Sequence, residues 1–101
     1  METKITTMRL TGQCEIDFKR WRIAKKESYL KDWFFEELMP SMQYGVLIDF
    51  FESEDIRINI HSEIDYIQAY VNDNDLGNHF QFIKEARTAA IKKANEIYNL
   101  R

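Results

Sequence analysis

The chain has 101 residues, of which 45% are hydrophobic and 14% aromatic, and its net charge is −3. A chain of this length and apolar content builds one core, so we expect a single domain over residues 1–101. Its longest apolar run, Val46-Leu47-Ile48, is far shorter than the roughly 20 residues that span a bilayer, which argues against a membrane protein. A single cysteine and no signal-like apolar segment predict a cytoplasmic protein.

The first predicted helix runs from Gln13 to Lys26, where Cys14, Phe18, Trp21 and Ala24 recur at three- and four-residue steps. Residues 1–12 carry only a weak apolar alternation, and we predict an edge strand or disorder there. A second helix is predicted from Tyr29 to Met39, ending at Pro40, because proline cannot continue the hydrogen-bond ladder.

Residues 42–53 fit either a helix or a strand, because their apolar residues satisfy both periods. The preceding Pro40-Ser41 start signal and the length favour a helix. Such a helix would be apolar on nearly all sides and therefore buried at the centre. Gly45 would then mark a close helix crossing.

Strict alternation of Ile56, Ile58 and Ile60 with polar residues predicts a strand. Residues 64–71 are predicted to be its hairpin partner after a two-residue break at Ser62-Glu63, although a helix capped by Ser62 is an open alternative. Residues 72–78 are rich in turn-forming residues and predict a loop. A short third strand could follow over 79–82.

The last predicted helix runs from Ile83 to Leu100, with an apolar stripe that includes Ala86, Ala90 and Ala94. Small residues on this stripe allow close packing against a neighbouring element. The predicted fold class is therefore α+β, with two or three N-terminal helices, a small antiparallel sheet of two or three strands, and this amphipathic C-terminal helix across it.

Two segments carry a resemblance: Met42-Gln-Tyr-Gly-Val-Leu-Ile-Asp-Phe-Phe-Glu-Ser53, and Glu85-Ala-Arg87 leading into Ala90-Ile-Lys-Lys-Ala-Asn-Glu-Ile-Tyr-Asn99. Both resemble small uncharacterised proteins of gut-bacterial phages and mobile elements. The resemblance implies a helical N-terminal half, a few strands and a terminal helix. That family has no assigned activity, so the resemblance assigns no functional residue.

The order of strands followed by an alanine-rich helix is similar to double-stranded-RNA-binding domains. Those domains contact RNA phosphates through basic residues clustered at the start of the last helix. Here Lys84, Arg87, Lys92 and Lys93 are distributed around that helix. The charge pattern therefore argues against this kind of RNA binding.

Catalytic and metal-binding patterns are absent from the sequence. His61 and His79 do not stand in a metal-ligand spacing, and Cys14 lies on an apolar stripe, which indicates a small buried hydrophobe rather than a nucleophile. Asp73-Asn74-Asp75 lacks the spaced ligands of a calcium loop. We therefore predict a protein that is not an enzyme and has no cofactor.

The charge distribution is uneven, with six bases against three acids over 14–31, and nine acids against Arg57 alone over 32–66. Acids next to aromatic residues in the middle of the chain predict a surface that binds a protein partner, through Asp32, Glu36, Glu37, Glu52, Glu54 and Asp55. The alternative without a binding function is that the aromatic residues belong to the core and the acids form a solvated rim around them.

A different function would use a basic helix face made by Lys19, Arg22 and Lys26 to contact nucleic acid. Because a broad basic excess is missing, we expect protein binding instead. A small sheet also leaves edge strands that a second copy could cover, so a homodimer is a further expectation.

Overall fold

The computed structural model describes residues 9–24, 38–77 and 79–101. Within them the fold is α+β, as predicted. Its helices and strands are, in chain order, α1 (Gly12–Ala24), α2 (Pro40–Ser53), β1 (Ile58–Ser62), β2 (Ile67–Val71), β3 (Asn74–Asp75) and α3 (Ile83–Asn99). The predicted helix from Tyr29 to Met39 lies outside the described residues except for Leu38 and Met39, which are not helical. Of the predicted N-terminal segment 1–12, residues 9–12 are described: 9–11 belong to no strand, and Gly12 begins α1.

Helix α2 confirms the helical interpretation of residues 42–53, but its burial is one-sided. Val46, Leu47, Phe50 and Phe51 are buried, whereas Met42 is 54% exposed. Gly45 is also exposed, and a Cβ placed on it would meet nothing within 4 Å. The predicted close crossing at Gly45 was therefore wrong, because that glycine lies on the helix face turned away from the core.

The sheet is antiparallel with the strand order β1-β2-β3. Strand β1 pairs with β2 from Ile58↔Val71 to Ser62↔Ile67. This register leaves a four-residue connection, 63–66, instead of the predicted two-residue break, and the Glu63 N–H donates to the Tyr66 carbonyl at 2.8 Å. The predicted hairpin is confirmed, but its second strand starts three residues later than expected, after the fully exposed Ile64.

The third strand lies before the predicted one, inside the predicted loop. Asn72 and Asp73 both have positive φ, 54° and 68°, as a two-residue type I′ hairpin turn requires, and they return the chain along β2. Residues 79–82 form no strand. Phe80 alone bridges to Ile67, through N···O distances of 2.7 and 2.9 Å.

Helix α3 packs across the sheet and contacts α1 and α2. Its predicted alanine stripe is confirmed, since Ala86, Ala90 and Ala94 are fully buried. On the sheet the facing residues are Ile58, Ala69 and Val71. The three alanines allow the close helix-to-sheet approach that the sequence predicted.

The core between the helices is aromatic. Phe50 of α2 packs within 6 Å, ring centroid to centroid, of Phe18, Trp21, Phe51 and Tyr98. Offset and edge-to-face ring pairs at such separations stabilise a core beyond their buried area. Among the described helices, none is long and apolar enough to cross a membrane.

Candidate functional site

A cavity of about 540 Å³ opens where the end of α2 meets the turn between β2 and β3. Among the described residues, its lining consists of two from the end of α2 and its connection, two just before β1, and two from the turn: Glu52, Asp55, Ile56, Arg57, Asn72 and Asp73. We call this the acidic cavity. Its volume lies within the roughly 300 to 1,000 Å³ of ligand pockets, so it has room for a long side chain of a partner.

The end of α2 is fixed by a Schellman motif. The Ile56 N–H donates to the Phe51 carbonyl at 2.9 Å, and the Asp55 N–H donates to the Glu52 carbonyl at 3.0 Å. Asp55 occupies the left-handed position of this motif with φ 64°, where glycine is the usual residue. The motif therefore holds Glu52 and Asp55 together at the cavity rim.

The opposite rim is fixed to the same chain segment by Asn72. The Arg57 N–H donates to Asn72 Oδ1 at 2.8 Å, and the Asn72 N–H donates to the Arg57 carbonyl at 2.7 Å. This reciprocal pair anchors the turn to the segment that leaves α2. Asp73 is thereby placed across the cavity from the end of the helix.

The cavity has an excess of negative charge. Of the described residues that line it, three carry carboxylates, Glu52, Asp55 and Asp73, and one, Arg57, carries a guanidinium. The C-terminal end of α2 adds the negative pole of the helix dipole. A cation is therefore attracted to this cavity, most strongly at low ionic strength.

The structure divides the predicted acidic residues into three groups. Glu52 and Asp55 line the acidic cavity. Glu54 does not; its carboxylate lies 3.3 Å from the Arg101 guanidinium, which also bonds the Glu54 carbonyl. Asp32, Glu36 and Glu37 lie outside the described residues.

Sequence reasoning missed Asp73 as a site residue. It follows Glu52 by 21 positions, and only the hairpin brings the two together. The one available signal was the turn-forming run at 72–75, because a type I′ turn exposes its central side chains. Asp75, by contrast, accepts hydrogen bonds from Gln68 and from the Gly77 N–H, and does not line the cavity.

The predicted basic face is not formed as expected. Arg22 is only 3% exposed, and its guanidinium lies 4.9 Å from the centroid of the Phe18 ring. Cys14, Phe18 and Arg22 follow each other at four-residue steps, so the buried stripe of α1 includes the arginine, and Ala24 is exposed instead. Lys19 is exposed and lies 3.8 Å from Glu15. Lys26 lies outside the described residues.

Cys14 is fully buried, as predicted for a small hydrophobe. Burial, together with the nearby carboxylates of Asp17 and Glu54, raises the pKa of its thiol to about 12. The reactive thiolate is therefore scarce at neutral pH. Among the described residues, no group of three or more His, Cys, Asp or Glu side chains is placed to hold a metal ion.

A second cavity, of about 370 Å³, lies between residues 9–11 and α3. Thr11 and Asn95 line it and use their polar atoms on each other: Asn95 accepts from the Thr11 N–H and donates to the Thr11 hydroxyl, both at 3.0 Å. These bonds attach the N-terminal segment to α3. This cavity is therefore part of the fold's own support, and the acidic cavity is the better candidate site.

Comparison with protein-family models, with curated proteins and with solved structures finds no match to this chain.

Proposed function

We propose that this protein is a non-catalytic binding domain that takes a basic side chain of a partner protein into the acidic cavity. The observation that carries the proposal is the described lining of that cavity, where three carboxylates, from Glu52, Asp55 and Asp73, outnumber the guanidinium of Arg57 at the negative end of a helix. Arginine fits best, because its planar guanidinium donates to two carboxylates at once.

The residue type at position 55 supports the proposal. The left-handed position of a Schellman motif is most stable with glycine, and aspartate there costs conformational energy. Local strain of this kind often accompanies function. Asp55 adds a carboxylate to the cavity that glycine would not supply.

We propose an intracellular protein of phage or mobile-element origin that modulates a host or element-encoded partner. Its support is the resemblance of the segments 42–53 and 85–99 to proteins of that origin, and the single cysteine of the chain.

The experiment is affinity capture from the native host with the full chain and two matched double variants. The first variant reverses charge at the cavity, Glu52→Lys with Asp73→Lys. The second makes the same charge change away from it, Asp49→Lys with Asp65→Lys, both exposed residues that do not line the cavity. We expect the first variant to lose a partner that the second retains.

If both variants captured the partner equally well, the proposal would be contradicted, because binding would then not depend on the cavity residues. Loss in both variants would also contradict it, since net charge rather than the cavity would decide binding. Circular dichroism of each variant establishes that the fold is retained.

A further inference from the structure

Strand β1 forms one edge of the sheet, and the hydrogen-bond pattern shows which of its groups are used. The Arg57 carbonyl accepts from Asn72, and the Glu63 N–H donates to Tyr66, so the odd-numbered residues of this segment point their backbone groups toward β2. Backbone groups alternate in direction along a strand. Those of Ile58, Ile60 and Ser62 therefore point outward, and no described residue bonds them.

This outer edge of β1, which no described residue covers with hydrogen bonds, is complementary to itself. If two β1 strands run antiparallel about a two-fold axis at Ile60, Ile60 faces Ile60 of the partner subunit, and Ile58 faces the partner's Ser62. These are the residues whose backbone groups point outward, so each facing pair can exchange hydrogen bonds. The half-buried Ile60 side chains then cover each other on the face that carries the helices.

The same register is also complementary in charge. Arg57 faces Glu63 of the partner subunit, and the symmetry repeats this pair at the other end of the interface. Both are exposed, and they lie in a non-hydrogen-bonded register position, where opposite side chains are closest. Within one chain the two are six residues apart along an extended segment, about 20 Å, so they do not pair with each other.

We infer that two copies of this chain associate through β1, antiparallel and with the two-fold axis at Ile60, to form one continuous sheet with the described helices on one face. The occupant of the edge is a second copy because the edge matches itself in hydrogen bonds, in Ile60 and in charge. An edge this short buries little surface, so we expect a dissociation constant of about 10 to 1,000 μM.

The decisive variants are two single charge reversals, Arg57→Glu and Glu63→Arg. Each alone places like charges at both ends of the interface, and sedimentation velocity should show at least tenfold weaker association for each. An equimolar mixture of the two variants restores opposite charges at both ends, so it should form a heterodimer about as well as the unchanged chain forms its dimer. Asp49→Arg, a reversal away from β1, should leave the dimer intact.

Amide exchange followed by NMR gives a second, residue-resolved reading on the unchanged chain. The amides of Ile58, Ile60 and Ser62 should exchange more slowly as concentration rises, whereas those of Asn59 and His61, already bonded toward β2, should not change. Three results would overturn the inference: a monomer at about 1 mM, a dimer that survives both single reversals, or a mixture that fails to associate. A dimer that protects other amides instead would place the interface elsewhere and overturn it as well.

Discussion

Asn99 fixes the start of α1 from the far end of the chain. Its Oδ1 accepts from the Cys14 N–H at 2.9 Å, and its Nδ2 donates to the Thr11 carbonyl at 2.9 Å. The first N–H groups of a helix have no partner within the helix, and a side chain just before the helix usually supplies one. Here Asn99 at the end of α3 supplies it, which ties the start of α1 to the end of α3.

A second tie between α1 and α3 is the hydrogen bond from the Tyr98 hydroxyl to Asp17 Oδ2, at 2.6 Å. This bond, together with one from the Gln13 amide, lowers the pKa of the Asp17 carboxyl below its ordinary 3.8. Burial raises the pKa of Tyr98, and the Asp17 bond raises it further. The phenol therefore stays a donor to the carboxylate throughout the neutral range.

The lowered pKa of Asp17 predicts a pH dependence of stability. A carboxyl whose pKa is lower in the folded state stabilises the fold fully above its unfolded pKa of 3.8, and this contribution is lost as the pH falls through the folded value. We expect Asp17→Asn to reduce the loss of unfolding free energy below pH 3.8 that the unchanged chain shows. Urea unfolding between about pH 2 and 6 measures it.

The control for this prediction is Asp49→Asn, which removes an exposed carboxylate of α2. With Asp49→Asn, the loss of unfolding free energy at acidic pH should stay close to that of the unchanged chain. If Asp17→Asn and Asp49→Asn gave the same profile, the bond to Tyr98 would contribute nothing to the acid dependence.

At the scale of the element, most helices and strands were predictable because their apolar period is local. The three buried alanines of α3 and the alternating isoleucines before and within β1 fix those elements without tertiary information. The third strand was misplaced because two residues of strand carry no period, and only the type I′ turn at 72–73 determines where β3 pairs.

The candidate site was only partly predictable. Glu52 and Asp55 are close in sequence, and local patterning singled them out. Asp73 joins them through the hairpin, which no local pattern encodes. Arg22 was placed on a basic surface because a charged residue is usually exposed. It is buried because the face of α1 that carries Cys14 and Phe18 packs on the core, and Arg22 lies on the same face one turn after Phe18.

Alanine substitutions of Gly12 in α1 and Gly45 in α2 should change the unfolding free energy in opposite directions. Gly12 has φ 62°, and a Cβ there would lie 3.1 Å from the Asn99 side chain, so Gly12→Ala should lower the unfolding free energy by about 1 to 2 kcal/mol. Gly45 is exposed with open space around it, so Gly45→Ala should raise it by about 0.5 to 1 kcal/mol. Urea unfolding measures both changes.

Gly77→Ala is the matched control, because Gly77 also has positive φ, 87°, but a Cβ there meets nothing within 4 Å. The loss of unfolding free energy in Gly77→Ala therefore measures the effect of the positive φ alone. A larger loss for Gly12→Ala than for Gly77→Ala measures the close approach of Asn99. Equal losses would mean that the Asn99 side chain moves aside freely.

At the scale of the whole molecule, the acidic cavity and the outer edge of β1 are two surfaces that differ in the groups they offer. The acidic cavity combines the end of α2 with the β2–β3 turn, whereas the outer edge of β1 offers backbone groups that no described residue bonds, and the Arg57–Glu63 complementarity. Arg57 belongs to both, since it lines the cavity and stands at the end of the edge. In the dimer the partner's Glu63 lies next to Arg57, which adds negative charge beside the cavity.

The most direct test of the binding proposal is an NMR titration of the isotope-labelled chain with a tri-arginine peptide, compared with tri-citrulline, its uncharged isostere. We predict saturable shifts of the backbone amides of Asp55, Arg57 and Asp73 with tri-arginine only, and their loss in the double variant Glu52→Gln with Asp73→Asn. Shifts that avoid these amides, or that survive in the double variant, would contradict the assignment of the acidic cavity as the site of a basic side chain.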